Sequence, residues 1–170
     1  MERIELAPGL TIPRIVTGLW QVADQERDGR TLDAETASDT LAAYARAGFD
    51  AFDMADHYGS SELIAGRLFS RFDQGALALA RRPAAFTKWC PKPGPMTRDI
   101  VRAGIEERIA RLGKGNIALL QFHWWLFEHP AYLDALKEMA AMQAEGAFGL
   151  LGVTNVDSDH LHLMRAHGLP

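Results

Sequence analysis

The chain has 170 residues, 48% of them apolar and 24% charged, with one cysteine and a formal net charge of −4. A chain of this size buries a sizeable core without staples, and the single Cys90 excludes an intramolecular disulfide framework. The slight acidity excludes the dense cationic face of a non-specific nucleic-acid binder, and no apolar run reaches the roughly 18 residues of a membrane span. The first residues, Met1-Glu2-Arg3-Ile4-Glu5-Leu6, carry no apolar leader, so a cytoplasmic protein with neither nucleic acid nor membrane as partner is expected.

In chain order, Glu2 to Leu6 and Leu10 to Pro13 flank Ala7-Pro8-Gly9 and predict a small hairpin. Short apolar runs of strand type then recur at Arg14–Thr17, Ala51–Met54, Ala85–Lys88, Ile117–Phe122 and Leu150–Thr154, roughly 34 residues apart, each followed by a helical pattern. The first helix places Ala37, Leu41, Tyr44 and Ala45 on one face and stops at Gly48. The second starts near Ser60 or Ser61 with Leu63, Ile64 and Leu68 inward. The third has Thr97 as N-cap, Asp99 in its first turn, Ile100, Ile105, Ile109 and Leu112 inward, and Gly113 as its stop. The fourth opens with Pro130 at or near its first turn, buries Tyr132, Leu136, Met139 and Ala140, and stops near Gly146. The fifth is capped by Asp157 or Ser158 and carries Leu161 and Met164 before Gly168.

One strand and one helix per unit exclude a tetratricopeptide array, whose units are paired helices, and predict βαβ crossovers with a parallel sheet. An open doubly wound sheet and a (β/α)8 barrel both satisfy that pattern. Neither G-x-G-x-x-G after the first strand nor G-x-x-x-x-G-K-[ST] is present, although some doubly wound folds lack both. Polar residues discriminate better. In a parallel barrel the chemistry stands at the C-terminal strand ends. Those positions hold Trp20 after strand one, Asp53 and then Tyr58 after strand two, Lys88 ending strand three, His123 ending strand four, and Thr154 and Asn155 ending strand five.

Singly, each has an ordinary structural role. Together, Asp53, Tyr58, Lys88 and His123 make a proton-donating set. A phenol with an unperturbed pKa near 10 is a poor acid at neutral pH, and an adjacent ammonium favours its phenolate. Asp53 would hold Lys88 charged and oriented, while His123 would place a substrate carbonyl by hydrogen bonding.

The stretch Gly48-Phe49-Asp50-Ala51-Phe52-Asp53-Met54-Ala55-Asp56-His57-Tyr58-Gly59-Ser60-Ser61-Glu62-Leu63-Ile64-Ala65-Gly66 closely resembles the first signature of the aldo-keto reductase superfamily. That resemblance runs from about residue 12 to the end. It implies an α/β (β/α)8 TIM barrel with the N-terminal hairpin at its bottom, present through about its fifth unit, as a single incomplete domain over residues 1–170. It implies Asp53, Tyr58, Lys88 and His123 as the catalytic tetrad, with Tyr58 the general acid reducing an aldehyde or ketone to the alcohol. It also implies NADP(H) as cofactor, Gly18, Leu19, Trp20 and Asp53 lining its site, and Thr154 with Asn155 on the nicotinamide carboxamide. Five units of about 34 residues extrapolate to roughly 270 for eight, against about 250 for a typical barrel. The chain as given would then lack much of the cofactor site. Open sheet edges would leave it marginal or self-associating.

Two departures concern the strand-five region, which in the family usually reads Gly-Lys-x-Arg-x-x-Gly-Val-Ser-Asn. Ala147 and Gly149 replace its basic positions, and Thr154 keeps the hydroxyl. His160, His162 and His167 do not form a metal site, because a spacing of two puts the first pair on different helix faces. Cys90, two residues past Lys88, is read as a half-buried thiol. Two other functions remain open: a binding or regulatory protein on this scaffold, and a barrel lyase or isomerase using Lys88 as Schiff-base nucleophile.

Overall fold

A computed structural model describes residues 1–169; Pro170, where the approach to a sixth strand is expected, lies outside the described residues. Two strands open the chain, β1 (Arg3–Ala7) and β2 (Leu10–Pro13), paired antiparallel around the expected turn. Gly9 takes φ 81° there, a conformation only glycine adopts freely.

Five parallel strands come next: β3 (Thr17–Gly18), β4 (Ala51–Asp53), β5 (Ala84–Trp89), β6 (Ile117–His123) and β7 (Leu150–Thr154). Their order in the sheet is their order in the sequence. A doubly wound sheet reverses direction at a switch point, so this unbroken order is that of a sheet winding toward a barrel. The helices are α1 (Trp20–Gln25), α2 (Ala34–Arg46), α3 (Ser61–Asp73), α4 (Arg98–Leu112), α5 (Tyr132–Ala144) and α6 (Ser158–Ala166). Among the described residues the outer edges of β3 and β7 have no strand partner.

Two boundaries differ from expectation. The first barrel strand comprises Thr17 and Gly18 rather than Arg14–Thr17, because pairing with β4 begins only at Thr17 opposite Phe52. Arg14 belongs to the hairpin instead, its N–H bonded to the Glu2 carbonyl. The six-residue α1 gave no periodic signal, being shorter than two turns of apolar repeat.

Two apolar layers sit on opposite faces of the sheet. The larger lies between sheet and helices and contains Phe52, Ala85, Trp89, Leu120 and Phe122 from the strands. The smaller fills the bottom of the barrel interior with Ile12 of the hairpin, Ala51 and Phe86. The period of two along each strand sets the layer above. Two residues beyond Ala51, Phe86 and Leu119, on the same face, stand Asp53, Lys88 and Gln121. An apolar floor therefore carries a polar rim. Arg3 clamps the hairpin below by two bonds to Asp50 (2.9 and 3.1 Å) and one to the Thr11 carbonyl (2.9 Å).

Thr97 caps α4 and Asp157 caps α6 by accepting backbone N–H bonds, as the residue types predict. The inward helix faces depart further from expectation. Leu63, Ile100 and Tyr44 are exposed, each one position off the buried stripe of its helix. Three stripes instead include polar members, Ser38 on α2, Ser61 and Glu62 on α3 and Arg108 on α4, which a search for apolar residues passes over.

Gly66 marks the closest approach of α3 to α4. A Cβ there would stand well inside contact distance of the Arg111 carbonyl oxygen, which belongs to a helix backbone and cannot swing away. Alanine favours a helix by about 1 kcal/mol over glycine. Gly66→Ala is nevertheless expected to destabilise the chain by about 1–3 kcal/mol in urea melts, because overpacking outweighs propensity; an unchanged or raised midpoint would refute the reading.

Candidate active site

The rim positions converge because the ladder continues beyond β4. Leu19 donates its N–H to the Asp53 carbonyl (2.8 Å), Met54 to Phe86 (2.8 Å) and Asp56 to Lys88 (3.1 Å). The loop carrying Tyr58 is thereby tied to strands on both sides. Glu26, at the end of α1, holds its far end by accepting the Ser60 N–H (2.8 Å) and hydroxyl (2.5 Å).

Asp53, Tyr58 and Lys88 come together. The Lys88 ammonium donates to Asp53 Oδ2 (2.6 Å) and to the Met54 carbonyl (2.9 Å), and lies 5.0 Å from the centre of the Tyr58 ring. Tyr58 packs edge-on against Trp20, centroids 4.9 Å apart. Among the described residues its hydroxyl has no hydrogen-bond partner.

His123 completes the group from β6. Its ring lies 5.8 Å from that of His57, which in turn is 4.9 Å from Tyr58. Register sets Thr154 opposite His123, and the next residue, Asn155, brings Nδ2 to 2.8 Å from His123 Nε2. Gly18 stands in register with Asp53, and a Cβ on it would meet nothing. Leu19 buries its side chain in the core, where with Gly18 it lines a cavity, and its N–H bonds the Asp53 carbonyl. Trp20 is exposed beside Tyr58.

Burial holds the His123 imidazole below its ordinary pKa of 6.5, and the charges of His57 and Lys88 act in the same direction against the opposing Asp56. In the unfolded chain His123 would titrate near 6.5, so over the window just below that pH the unfolded state binds the proton and the folded state resists it. Stability from this group is present above pH about 6.5 and is lost as pH falls toward the folded value. Urea midpoints measured from about pH 7.5 to 5.5 should therefore drop, and drop less in His123→Gln; equal slopes would contradict the assignment.

Several contributors carry no signal of their own in the sequence pattern. Gln121 is the exception: its Nε2 lies 3.4 Å from Asp53 Oδ1, and its position two residues before His123 on the same strand face was a usable sign. Asp56 accepts from His57 Nδ1 (2.8 Å) and from the Cys90 N–H (2.8 Å), and lies 3.7 Å from Arg108. Behind the loop, Glu62 takes Thr87 Oγ1 (2.6 Å), Arg108 Nε (2.9 Å) and Arg111 (3.1 Å). No periodicity announces such a cluster. Cys90 receives the Trp125 indole N–H at 3.2 Å, and burial pushes its thiol pKa up, away from a reactive thiolate. Among the described residues no group of His, Cys, Asp and Glu is placed to hold a metal. Among them, too, no helix is long and apolar enough to cross a membrane.

A cavity of about 560 Å³ lies between β3, α1 and α2, but its walls, such as Val22, Leu32 and Leu41, include none of Asp53, Tyr58, Lys88 or His123. The convergent polar groups at the strand ends, rather than this cavity, are the candidate site. At Gly149, one of the positions where a basic residue was expected, a Cβ would collide with the Ala118 carbonyl oxygen, so this strand pairing demands glycine.

The chain is similar to known proteins in sequence and in fold. The model of the Aldo/keto reductase family matches residues 14–170. An aldo-keto reductase of Mycobacterium sp. (strain KMS) is 27% identical over 161 residues, covering 95% of this chain and 52% of its own. An NADH-specific methylglyoxal reductase of Escherichia coli (strain K12) is 23% identical, covering 99% and 56%. In fold, the chain resembles a Bombyx mori aldo-keto reductase solved in complex with NADP, with a TM-score of 0.72, 20% identity and coverage of 97% and 54%. The chain thus spans about half the length of the curated relatives it matches.

Proposed function

The chain belongs to the aldo/keto reductase family, and on that premise we propose that its rim protonates the oxygen of an aldehyde or ketone during nicotinamide-dependent reduction to the alcohol. The observation that carries the reading is the Lys88 ammonium, held by Asp53 at 2.6 Å and set 5.0 Å from the Tyr58 ring centre. Tyr58 gives up the proton as general acid. Lys88 stabilises the phenolate that results, and Asp53 keeps Lys88 charged and aimed. His123 orients the carbonyl, and Trp20 and Trp125 shield the rim.

The nicotinamide cofactor, when bound, supplies the hydride. The donors at the end of β7 suit its carboxamide: Asn155 presents an amide and Thr154 a hydroxyl. The resemblance favours NADPH. One relative is named NADH-specific and another is solved with NADP, so both reduced cofactors belong in the test. Small carbonyl compounds, including short aldehydes and α-oxoaldehydes, are the substrate class.

In the longest natural chain that carries these residues, NADPH or NADH is expected to be consumed only when such a carbonyl is added, with the alcohol formed in equal amount. Cofactor binding without turnover across a broad aldehyde and ketone panel would overturn the reading in favour of a binding protein. The Schiff-base alternative suits the geometry poorly, since Lys88 has two acceptors suited to an ammonium. Borohydride should therefore trap no substrate on Lys88.

A further inference from the structure

We infer that Asn155 is a positioning residue for His123, its side-chain amide setting which imidazole nitrogen carries the proton. Among the described residues Asn155 is the one non-glycine with positive φ, at 56°. Asparagine tolerates this left-handed conformation better than most residues, and such outliers gather where structure serves a site. Here the turn comes directly after β7, where Thr154 is paired with His123, and it brings the amide back onto the ring with Nδ2 2.8 Å from Nε2.

An amide nitrogen can only donate. The contact couples the two groups: Nδ2 facing the ring, as it is placed here, makes Nε2 the acceptor with the proton on Nδ1, whereas Oδ1 facing it makes Nε2 the donor. Nothing else dictates that choice. His123 is 5% exposed, and its Nδ1 is buried without a hydrogen-bond partner, so neither a carboxylate nor solvent fixes the tautomer from the other side. Asp56 directs its Oδ1 to His57 rather than to His123, and Trp125 offers only its ring at 4.4 Å.

The consequence bears on the proposed reaction. With the proton on Nδ1, Nε2 has no hydrogen to offer a carbonyl oxygen. The donor form appears only when the Asn155 amide turns and presents Oδ1 to an Nε2–H. Amide orientation and imidazole tautomer are therefore one two-state element, resting as Nδ1–H. Its relevance to catalysis depends on the carbonyl-orienting role of His123; the tautomer itself does not.

Long-range 1H–15N correlation on the chain labelled at histidine, at mildly alkaline pH, reads the tautomer without cofactor or substrate. His123 is assigned by the signal lost in His123→Gln. The wild type is expected to report Nδ1–H. Asn155→Asp, whose carboxylate can only accept, is expected to report Nε2–H. Asn155→Gly keeps the backbone conformation and removes the amide, and is expected to give a mixture of both. A wild type that is mainly Nε2–H, or an unchanged pattern in both variants, overturns the inference. Because this readout needs no turnover, it fails or stands separately from the reductase reading.

Discussion

Tyr58→Phe is expected to lower carbonyl turnover by about 10²- to 10⁴-fold, the range over which a positioned acid contributes. The replacement removes one oxygen. The ring keeps its edge contact with Trp20 at 4.9 Å and its place under the Lys88 ammonium at 5.0 Å, and no protein hydrogen bond is lost with the hydroxyl among the described residues. Fold and cofactor affinity should therefore survive, with the loss confined to kcat. Steady-state kinetics with NADPH and NADH, beside a thermal melt, decide the matter. A variant that keeps more than about a tenth of wild-type kcat would show that the proton comes from elsewhere, and His57, 4.9 Å away and half in solvent, would be the next group to test.

The second large effect is expected behind the site. Glu62 is 1% exposed and Arg108 3%, and they meet at 2.9 Å with Thr87 completing the carboxylate's bonds. Removing one partner of a buried ion pair leaves an uncompensated charge, at a cost of about 3–5 kcal/mol. Arg108→Met should destabilise the chain by that order, although Arg111 at 3.1 Å retains part of the compensation. Joining it to Glu62→Gln should recover a good part of the loss, since the charge needing a partner is then gone. Urea unfolding of the two single variants and the double closes the cycle. Strict additivity, or an Arg108→Met loss below about 1 kcal/mol, would mean that the pair is not coupled as its geometry indicates. The same variant bears on Tyr58, because Arg108 also faces Asp56, two residues before the tyrosine.

The polar rim was legible in the sequence for a simple reason. Strands of period two ending at similar heights bring their last inward residues together, so Asp53, Lys88 and His123 could be assigned to one end without knowing any contact. Tyr58 went with them through its place in the loop after Asp53. Helix faces were harder. The inward stripes of α2 and α4 contain Ser38 and Arg108, and counting apolar residues turns Tyr44 and Ile100 inward in their place. A buried arginine becomes tolerable only once Glu62 from another helix stands beside it, and no local pattern records that neighbour. Ala147 and Gly149 have the look of lost functional positions. At Gly149 the close approach of Ala118 is what requires the glycine.

By itself the sequence determined the alternation of strand and helix, the hairpin at Gly9, the cap at Thr97 with a second at Asp157 or Ser158, and the polar residues gathered at one rim. All of these depend on residues near one another in the chain, or on the period of a single element. Tertiary structure decided the sequential strand order that favours a barrel over a doubly wound sheet, the Glu62–Arg108 anchor behind the Tyr58 loop, and the turn at Asn155 that engages His123. Each of those joins groups more than thirty residues apart or on different strands, and such pairings acquire their energy only when the sheet has closed the distance between them.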